Sequence, residues 1–338
     1  MSSPFVHHNG EVRLVIQIPC FNEATALPAT LADLPRNVDG FNEVLWLVID
    51  DGSTDATSEI AKTHGADVVV KLTQNKGLAV AFQAGLDASL QLGADVIVNT
   101  DADNQYSAAD IPRLVEPILQ GNADLVIGTR DIANHSEFSA LKKWLQRIGS
   151  WVVRQASATE VSDVTSGFRA YSREAALQAN VVSQFTYTLE TLIQAGRSDL
   201  AIADIPINVN PTTRPSRLFR SKRQYVRRSA GTISRVYAMH QPLRVFNIPA
   251  AIFGVVGLIL FGRFGWFYLT SGGEGHVQSL IVGAVCLLMA VQMLMLGVLA
   301  DLLRSNRVIG ERVLRRVRNI ELTIAPQTNS RVEPPHES

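Results

Sequence analysis

The sequence predicts an α/β domain built on a mainly parallel sheet, followed by a two-helix transmembrane hairpin. Three observations carry this. Over residues 1–210, short runs rich in Val, Ile and Leu alternate with helical patterns, as in parallel sheets covered on both faces. Near the C-terminus, Val245–Leu269 and Val277–Ala300 form apolar stretches of 25 and 24 residues, and about 20 suffice for a helix to cross a hydrocarbon core. The zero net charge hides a strong asymmetry. Residues 1–210 carry 14 Lys/Arg against 25 Asp/Glu, residues 211–244 carry nine Lys/Arg and no acid, and residues 301–318 add six Arg against Asp301 and Glu311. An acidic body followed by basic segments around an apolar one reads as a membrane-docked protein.

Strands are expected at Arg13–Pro19, Glu43–Asp50, Ala66–Leu72, Asp95–Thr100 and Asp124–Thr129, with later ones near Gly167–Tyr171 and Ala201–Val209. Helical patterns fall between them at Thr25–Leu34, Thr54–Thr63, Gly77–Leu92, Ala108–Gln120 and Ser139–Ala156. In such sheets ligands bind beyond the carboxyl ends of the strands. Polar clusters stand there in turn: PCFNE after the first strand, DDGSTD after the second, DADNQ after the fourth and GTR after the fifth. No internal repeat is present. The domain spans residues 11–211, after a flexible N-terminus at 1–10.

The connector Thr270–His276 has no Lys or Arg, while both outer flanks are basic. The positive-inside rule then puts both flanks in the cytoplasm and the connector outside. Arg263 lies close to the outer end of its span, where a long side chain reaches the headgroups. The start, MSSPFVHHNG, lacks a secretory signal, so the body of the chain is expected in the cytoplasm. Within the juxtamembrane region 212–244, Phe219, Val226, Ala230, Ile233 and Tyr237 share a helical stripe. Arg220, Arg227, Arg228 and Arg235 lie beside or opposite it, as on an interfacial helix over anionic lipid. A basic solvated helix or a nucleic-acid patch is the alternative; adjacency to the spans favours lipid, and no nucleic-acid partner is expected. The tail, 301–338, is basic and then, after Asn319, polar and expected to be disordered. A homo-oligomer through the hairpins is compatible with the sequence, which does not specify one.

Several functions are excluded or disfavoured. Two cysteines, Cys20 and Cys286, allow no disulfide framework and no Cys-rich zinc site. The adjacent His7 and His8 have no His-x-x-x-His spacing or nearby carboxylates to make a metal centre. The chain has no G-x-G-x-x-G after its first strand and no P-loop, which disfavours a nicotinamide or flavin site and excludes a P-loop nucleotidase. A G-x-S-x-G hydrolase elbow is also missing.

The strongest local signal is Asp101-Ala102-Asp103-Asn104-Gln105 at a strand end. Two carboxylates two residues apart, with the Gln105 carbonyl, can face one hard cation, and Mg²⁺ or Mn²⁺ favours oxygen ligands and substrate phosphates. A solvated acidic turn is the bland alternative. In Asp50-Asp51-Gly52-Ser53-Thr54-Asp55, Ser53, Thr54 or Asp55 can cap a helix. Capping leaves Asp50 and Asp51 unexplained, and a carboxylate there can accept hydrogen bonds from a nucleoside. Glu23 and the ring of Phe21 offer a second nucleoside contact, unless Asn22 merely caps a helix and Phe21 is core.

Taken together, these clusters resemble family 2 glycosyltransferases of the GT-A fold, and most of all the polyprenyl-phosphate glycosyltransferases, similar to dolichyl-phosphate mannose synthase. The family pattern stands here as IPCFNE, DDGSTD and DADNQ, continued by Ile127–Arg130 and by Asp163–Ala175, DVTSGFRAYSREA. The resemblance implies that Pro19, Phe21, Glu23, Ile49 and Asp51 hold the nucleotide. Asp101, Ala102, Asp103 and Gln105 would hold diphosphate and metal, with Asp101, Asp103 and Gln105 as ligands to Mg²⁺ or Mn²⁺. Arg130 and Arg169 would lie towards the acceptor phosphate, where a planar guanidinium suits the anion; surface or structural pairing is the other reading. Asp163 would be a base or an orienting carboxylate, or only a strand-end hydrogen-bond partner.

One departure concerns the family's R-x-R-G-x-S-K stretch. Thr212–Leu218 reads TTRPSRL, in which Ser216 and Arg217 align with the Ser-Lys end and Arg214 can substitute in space. The implied activity is inverting transfer of a sugar, from GDP-mannose or a UDP-hexose, to a dolichyl or undecaprenyl phosphate on the cytoplasmic face. Asp103, Asp163 and Arg130 would be its catalytic residues. The alternatives are a processive polysaccharide synthase, whose Q-x-x-R-W motif is missing, and a non-catalytic scaffold, against which the intact acidic motif argues.

Overall fold

The computed structural model describes residues 12–130, 163–181, 187–198, 200–210, 241–272 and 277–324. The chain divides into two units, residues 1–219 with 311–338, and residues 220–310.

In the first unit β1 (Arg13–Cys20), β2 (Glu43–Asp50), β3 (Val68–Lys71), β4 (Val96–Asn99), β5 (Leu125–Arg130), β6 (Arg169–Ser172) and β7 (Ile202–Ile207) form one sheet. Its order is β3-β2-β1-β4-β6-β5-β7. All pairings are parallel except those of β6, which runs antiparallel to both β4 and β5. Around the sheet lie α1 (Leu27–Asp33), α2 (Thr57–Thr63), α3 (Leu78–Gln91), α4 (Ile111–Leu119), α5 (Arg173–Gln178) and α6 (Thr188–Arg197).

β1 is buried from Leu14 to Cys20 without alternation, because both faces of a parallel sheet are covered. On one face, α4 turns Ile111, Leu114, Val115 and Ile118 inward, the i, i+3, i+4, i+7 stripe of a surface helix. On the other, α3 approaches through Gly85. A Cβ there would stand 2.6 Å from Gln17 Oε1 and 2.8 Å from Ile49 Cδ1, so any side chain at 85 would push the helix off β1 and β2.

The core holds one polar thread. Gln17 and Asn99 are in register on β1 and β4, both fully buried. Gln17 Nε2 donates to Asn99 Oδ1 at 2.9 Å. Asn99 Nδ2 donates to Gly167 O at 2.8 Å and to Tyr187 Oη at 3.1 Å. The thread ties the loop before β6 to the middle of the sheet.

The strand expectations match the observed strands to within a few residues, since apolar strand cores are visible in the sequence and their ends are not. The reversal of β6 and the helices α5 and α6 were not expected. α5 is six residues long, too short to show a helical period. The expected helix at Ser139–Ala156 and the juxtamembrane stripe, with Arg214 and Arg217, lie outside the described residues.

The two apolar stretches form α7 (Pro242–Ser271) and α8 (Val277–Ile324). α8 continues beyond Ala300 to Ile324, because Leu302, Ile309, Val313 and Ile320 sustain a helical apolar period; the tail expected to be disordered lies, from residue 325 on, outside the described residues. α7 and α8 meet through small residues. A Cβ on Gly257 would lie 2.8 Å from Leu287 Cγ, and one on Gly283 2.8 Å from Phe261 Cδ2. Close backbone approach of this kind is how apolar helices associate in lipid.

Replacing Asn99 by Ala strands Gln17 Nε2 and Gly167 O in the core. The urea midpoint of Asn99→Ala should fall by the equivalent of about 3 kcal/mol with an unchanged m value.

Candidate active site

The first two turns at the carboxyl edge are laced together. Asn22 N–H donates to Ser53 Oγ (2.9 Å), Thr54 N–H to Asn22 Oδ1 (2.8 Å) and Glu23 N–H to Thr57 Oγ1 (2.9 Å). Ser53 and Thr54 therefore bind the neighbouring turn instead of capping α2, and Asp55 Oδ1 accepts from Thr57 N–H at 3.1 Å. Asp50 is fully buried; it accepts from Ser53 N–H at 2.7 Å and from the Ser58 hydroxyl. Its role is to hold the turn. Asp51 accepts from the main-chain N–H of Lys76 and Gly77, both at 2.8 Å, so the loop before α3 folds over the end of β2.

Gly52 makes that crossing feasible. It has φ of 68°, and a Cβ there would stand 2.4 Å from the carbonyl carbon of Gln74. Only Gly tolerates both the backbone angle and the contact. In the adjoining turn Phe21 is 41% exposed and presents a ring surface. Pro19 and Ile49 pair in register one residue before the ends of β1 and β2. The Ile49 side chain is buried against α3, which leaves its main chain at the edge.

The third turn carries the acids. α1 supports it: Thr30 Oγ1 donates to Ala102 O at 2.8 Å, and Asn104, at φ of 54°, donates to Asp33 Oδ2 at 2.7 Å. Asp103 Oδ1 accepts from Gln105 N–H at 3.1 Å. The Asp101 carboxyl is pushed up to about 7, by burial first and then by the Asp103 charge, with Arg130 pulling it back. Among the described residues no three His, Cys, Asp or Glu side chains converge as a metal site. The set Asp101, Asp103 and Gln105 is nonetheless all oxygen, and crowded carboxylates are what a hard divalent cation relieves. In chemistry the residues fit such an ion.

The loop before β6 closes the edge. A Cβ on Gly167 would lie 3.1 Å from Asp101 Oδ1 and 2.8 Å from Tyr187 Oη, so the main chain passes directly against the carboxylate. Gly167 N–H donates to Tyr106 Oη at 3.1 Å. Burial, and then Asp101, pushes the Tyr106 hydroxyl up to about 12; it keeps its proton at neutral pH. From β5, Arg130 Nε donates to Asp163 Oδ2 at 2.7 Å, and Nη2 donates to Asp163 Oδ1 (3.3 Å) and Thr165 Oγ1 (3.1 Å). Nη1 of Arg130 has no hydrogen bond among the described residues, and the side chain is 23% exposed.

Arg169 does not fit an acceptor role. It is fully buried. Its Nε donates to Ser166 O (2.8 Å), Nη2 to Val164 O (3.0 Å), and Nη1 to Thr188 O (2.8 Å) and Thr191 Oγ1 (3.1 Å). The guanidinium staples the loop 164–166 to α6, and each of its three nitrogens bonds to the protein itself.

Residues 15–178 match the model for glycosyl transferase family 2. The undecaprenyl-phosphate mannosyltransferase of Micrococcus luteus is 32% identical over 206 residues, 58% of this chain and 83% of that protein. The chain belongs to glycosyl transferase family 2. A second relative, the UDP-N-acetylglucosamine–dolichyl-phosphate N-acetylglucosaminyltransferase of Methanococcus voltae, is 30% identical over 215 residues, 56% of this chain and 82% of that one. In fold, the transferase is similar to glucosyl-3-phosphoglycerate synthase from Mycobacterium tuberculosis in complex with Mn²⁺, UDP-glucose and phosphoglyceric acid. The TM-score is 0.52 at 22% identity, over 68% of this chain and 81% of that one.

The structure thus brings Phe21, Glu23, Asp51, Asp101, Asp103, Gln105, Arg130 and Asp163 to one edge of the transferase's sheet. Sequence reasoning gave no role to Tyr106, Gly167, Thr165 or the Lys76–Gly77 main chain. Thr165 and Gly167 lie within the family-like stretch Asp163–Ala175, and the Gly in QNKG, just before a helix, was a further usable signal.

Gly52→Ala should lower the catalytic domain's stability by about 3 kcal/mol, read as a drop in thermal midpoint. Burial alone would raise the Asp163 carboxyl, but the hydrogen bonds and charge of Arg130 hold it below the usual range. Stability from this pair is complete above the unfolded carboxylate value of about 3.9 and is lost as pH falls through the lower folded value. Asp163→Asn should therefore melt earlier than wild type at pH 7, with the gap closing below about pH 4.

Proposed function

We propose that the transferase moves one sugar from a nucleotide-diphosphate sugar to the phosphate of a polyprenyl lipid, with inversion, at the cytoplasmic face of the membrane. The observation that carries this is Arg130. Its guanidinium is fixed by Asp163 at the rim of the acidic site, close enough to Asp101 to shift it, and it keeps one nitrogen for an anion. Two relatives that differ in sugar, mannose and N-acetylglucosamine, both name a polyprenyl phosphate. Two helices long and apolar enough to cross a membrane support a lipid acceptor, and the basic flanks support the cytoplasmic orientation.

Phe21, Glu23 and Asp51, with the main chain at Pro19 and Ile49, would take the nucleoside, and Ala102 the diphosphate beside the acids. A bound Mg²⁺ or Mn²⁺ on Asp101, Asp103 and Gln105 would neutralise the diphosphate as it leaves. The lipid phosphate oxygen would attack the anomeric carbon while Arg130 orients and screens it. A phosphomonoester, with a second pKa of about 6, is already ionised at pH 7 and needs no strong base. Asp163, held ionised by Arg130, orients that guanidinium. Arg214 and Arg217 remain candidates for a further phosphate contact.

The test uses membranes containing the full chain, undecaprenyl phosphate, Mn²⁺ or Mg²⁺ and radiolabelled GDP- and UDP-sugars, counting label in the organic phase. One donor should give a metal-dependent lipid product. Asp103→Ala should abolish it and Arg130→Lys should lower it about 100-fold. Nucleotide binding without lipid product from any donor would move the acceptor elsewhere.

A further inference from the structure

α8 carries two stripes on opposite sides. One, with Gly283, Leu287, Ala290 and Gly297, faces α7. On the other, Val285, Leu288, Gln292, Leu299, Asn306 and Ile309 recur in steps of three, four and seven residues, a heptad seam of period 3.5. Every one of them is exposed. Lipid does not account for the whole seam. A helix of 48 residues is about 72 Å long, against a hydrocarbon core of about 30 Å. The apolar stretch ends near Ala300, yet the seam continues through Asn306 to Ile309.

The two amides identify the occupant. Gln292 and Asn306 share one heptad position, two heptads apart, and neither side chain has a hydrogen-bond partner among the described residues. An amide both donates and accepts, so it pairs with an identical amide. Copies inserted in one membrane share one orientation, and their α8 helices meet in parallel. In register, Gln292 then faces Gln292 and Asn306 faces Asn306, the arrangement by which a polar residue at this position fixes the alignment of a parallel coil. At Arg316, one heptad past Ile309, two guanidiniums would meet, which ends the contact.

We propose that two copies of the chain pair through this seam of α8, parallel and in register. The inference rests on α7 and α8 crossing the membrane. Single cysteines are placed in the full chain carrying Cys286→Ser, and the membranes are treated with a mild oxidant. Val285→Cys, Leu288→Cys and Leu299→Cys should give covalent dimer at least about five times more than Val282→Cys and Val298→Cys, which are equally exposed but off the seam. Adding Gln292→Leu to the Leu288→Cys chain should cut the dimer about three- to tenfold. Equal cross-linking on and off the seam, or none in membranes that retain the chain after an alkaline wash, overturns the pairing alone. Release of the chain by that wash overturns the membrane reading beneath it.

Discussion

Reversing β6 between β4 and β5 brings its first residue, not its last, to the edge where the parallel strands end. Asn99, at the close of β4, is paired with Arg169, at the opening of β6. The segment that leads into β6 must therefore cross the carboxyl edge, and its residues from Asp163 to Phe168 become part of the site. Asn99, Tyr106, Tyr187 and Arg169 then hold that segment from below and from the side. The position of Gly167 against Asp101 follows from these contacts, with no side chain at 167 to keep the two apart.

The edge separates charge into two kinds of setting. Asp101 and Asp103 are crowded, and burial makes Asp101 costly to ionise without a cation. Asp163 is paired through two hydrogen bonds with a guanidinium that stays charged at any working pH. One carboxylate group is thus prepared to receive a counter-charge, and another already has one. The buried Arg169 belongs to neither: its charge is spread over three carbonyls and a hydroxyl, and it serves as a rigid connector.

Much of the fold and part of the site were legible in the sequence. Apolar strand cores and the acidic turns that follow them are local, and PCFNE, DDGSTD and DADNQ fell at one edge because parallel strands all end there. The direction of β6 was not legible, because a four-residue strand carries no sign of its orientation. The role of Arg169 failed for the same reason: an Arg in a motif reads as a ligand contact until its depth is known. Asp50 and Asp51 are indistinguishable in sequence, yet one is sealed inside its turn and the other clasps the loop before α3. The length of α8 was obscured by the rise in charge after Ala300, which masks a continuing apolar period.

The antiparallel strand also sets the order in which the molecule can be completed. Contacts between the β1 and β2 turns join residues 31 and 34 apart, whereas those fixing Gly167 join residues 61 and 68 apart. Longer loops cost more entropy to close and slow the step that needs them. During synthesis, at about 5–20 residues per second, the turns after β1 and β2 are made well before the loop that leads into β6. A nascent chain halted short of β6 has the laced turns and the acids of the edge, and nothing yet to close over them.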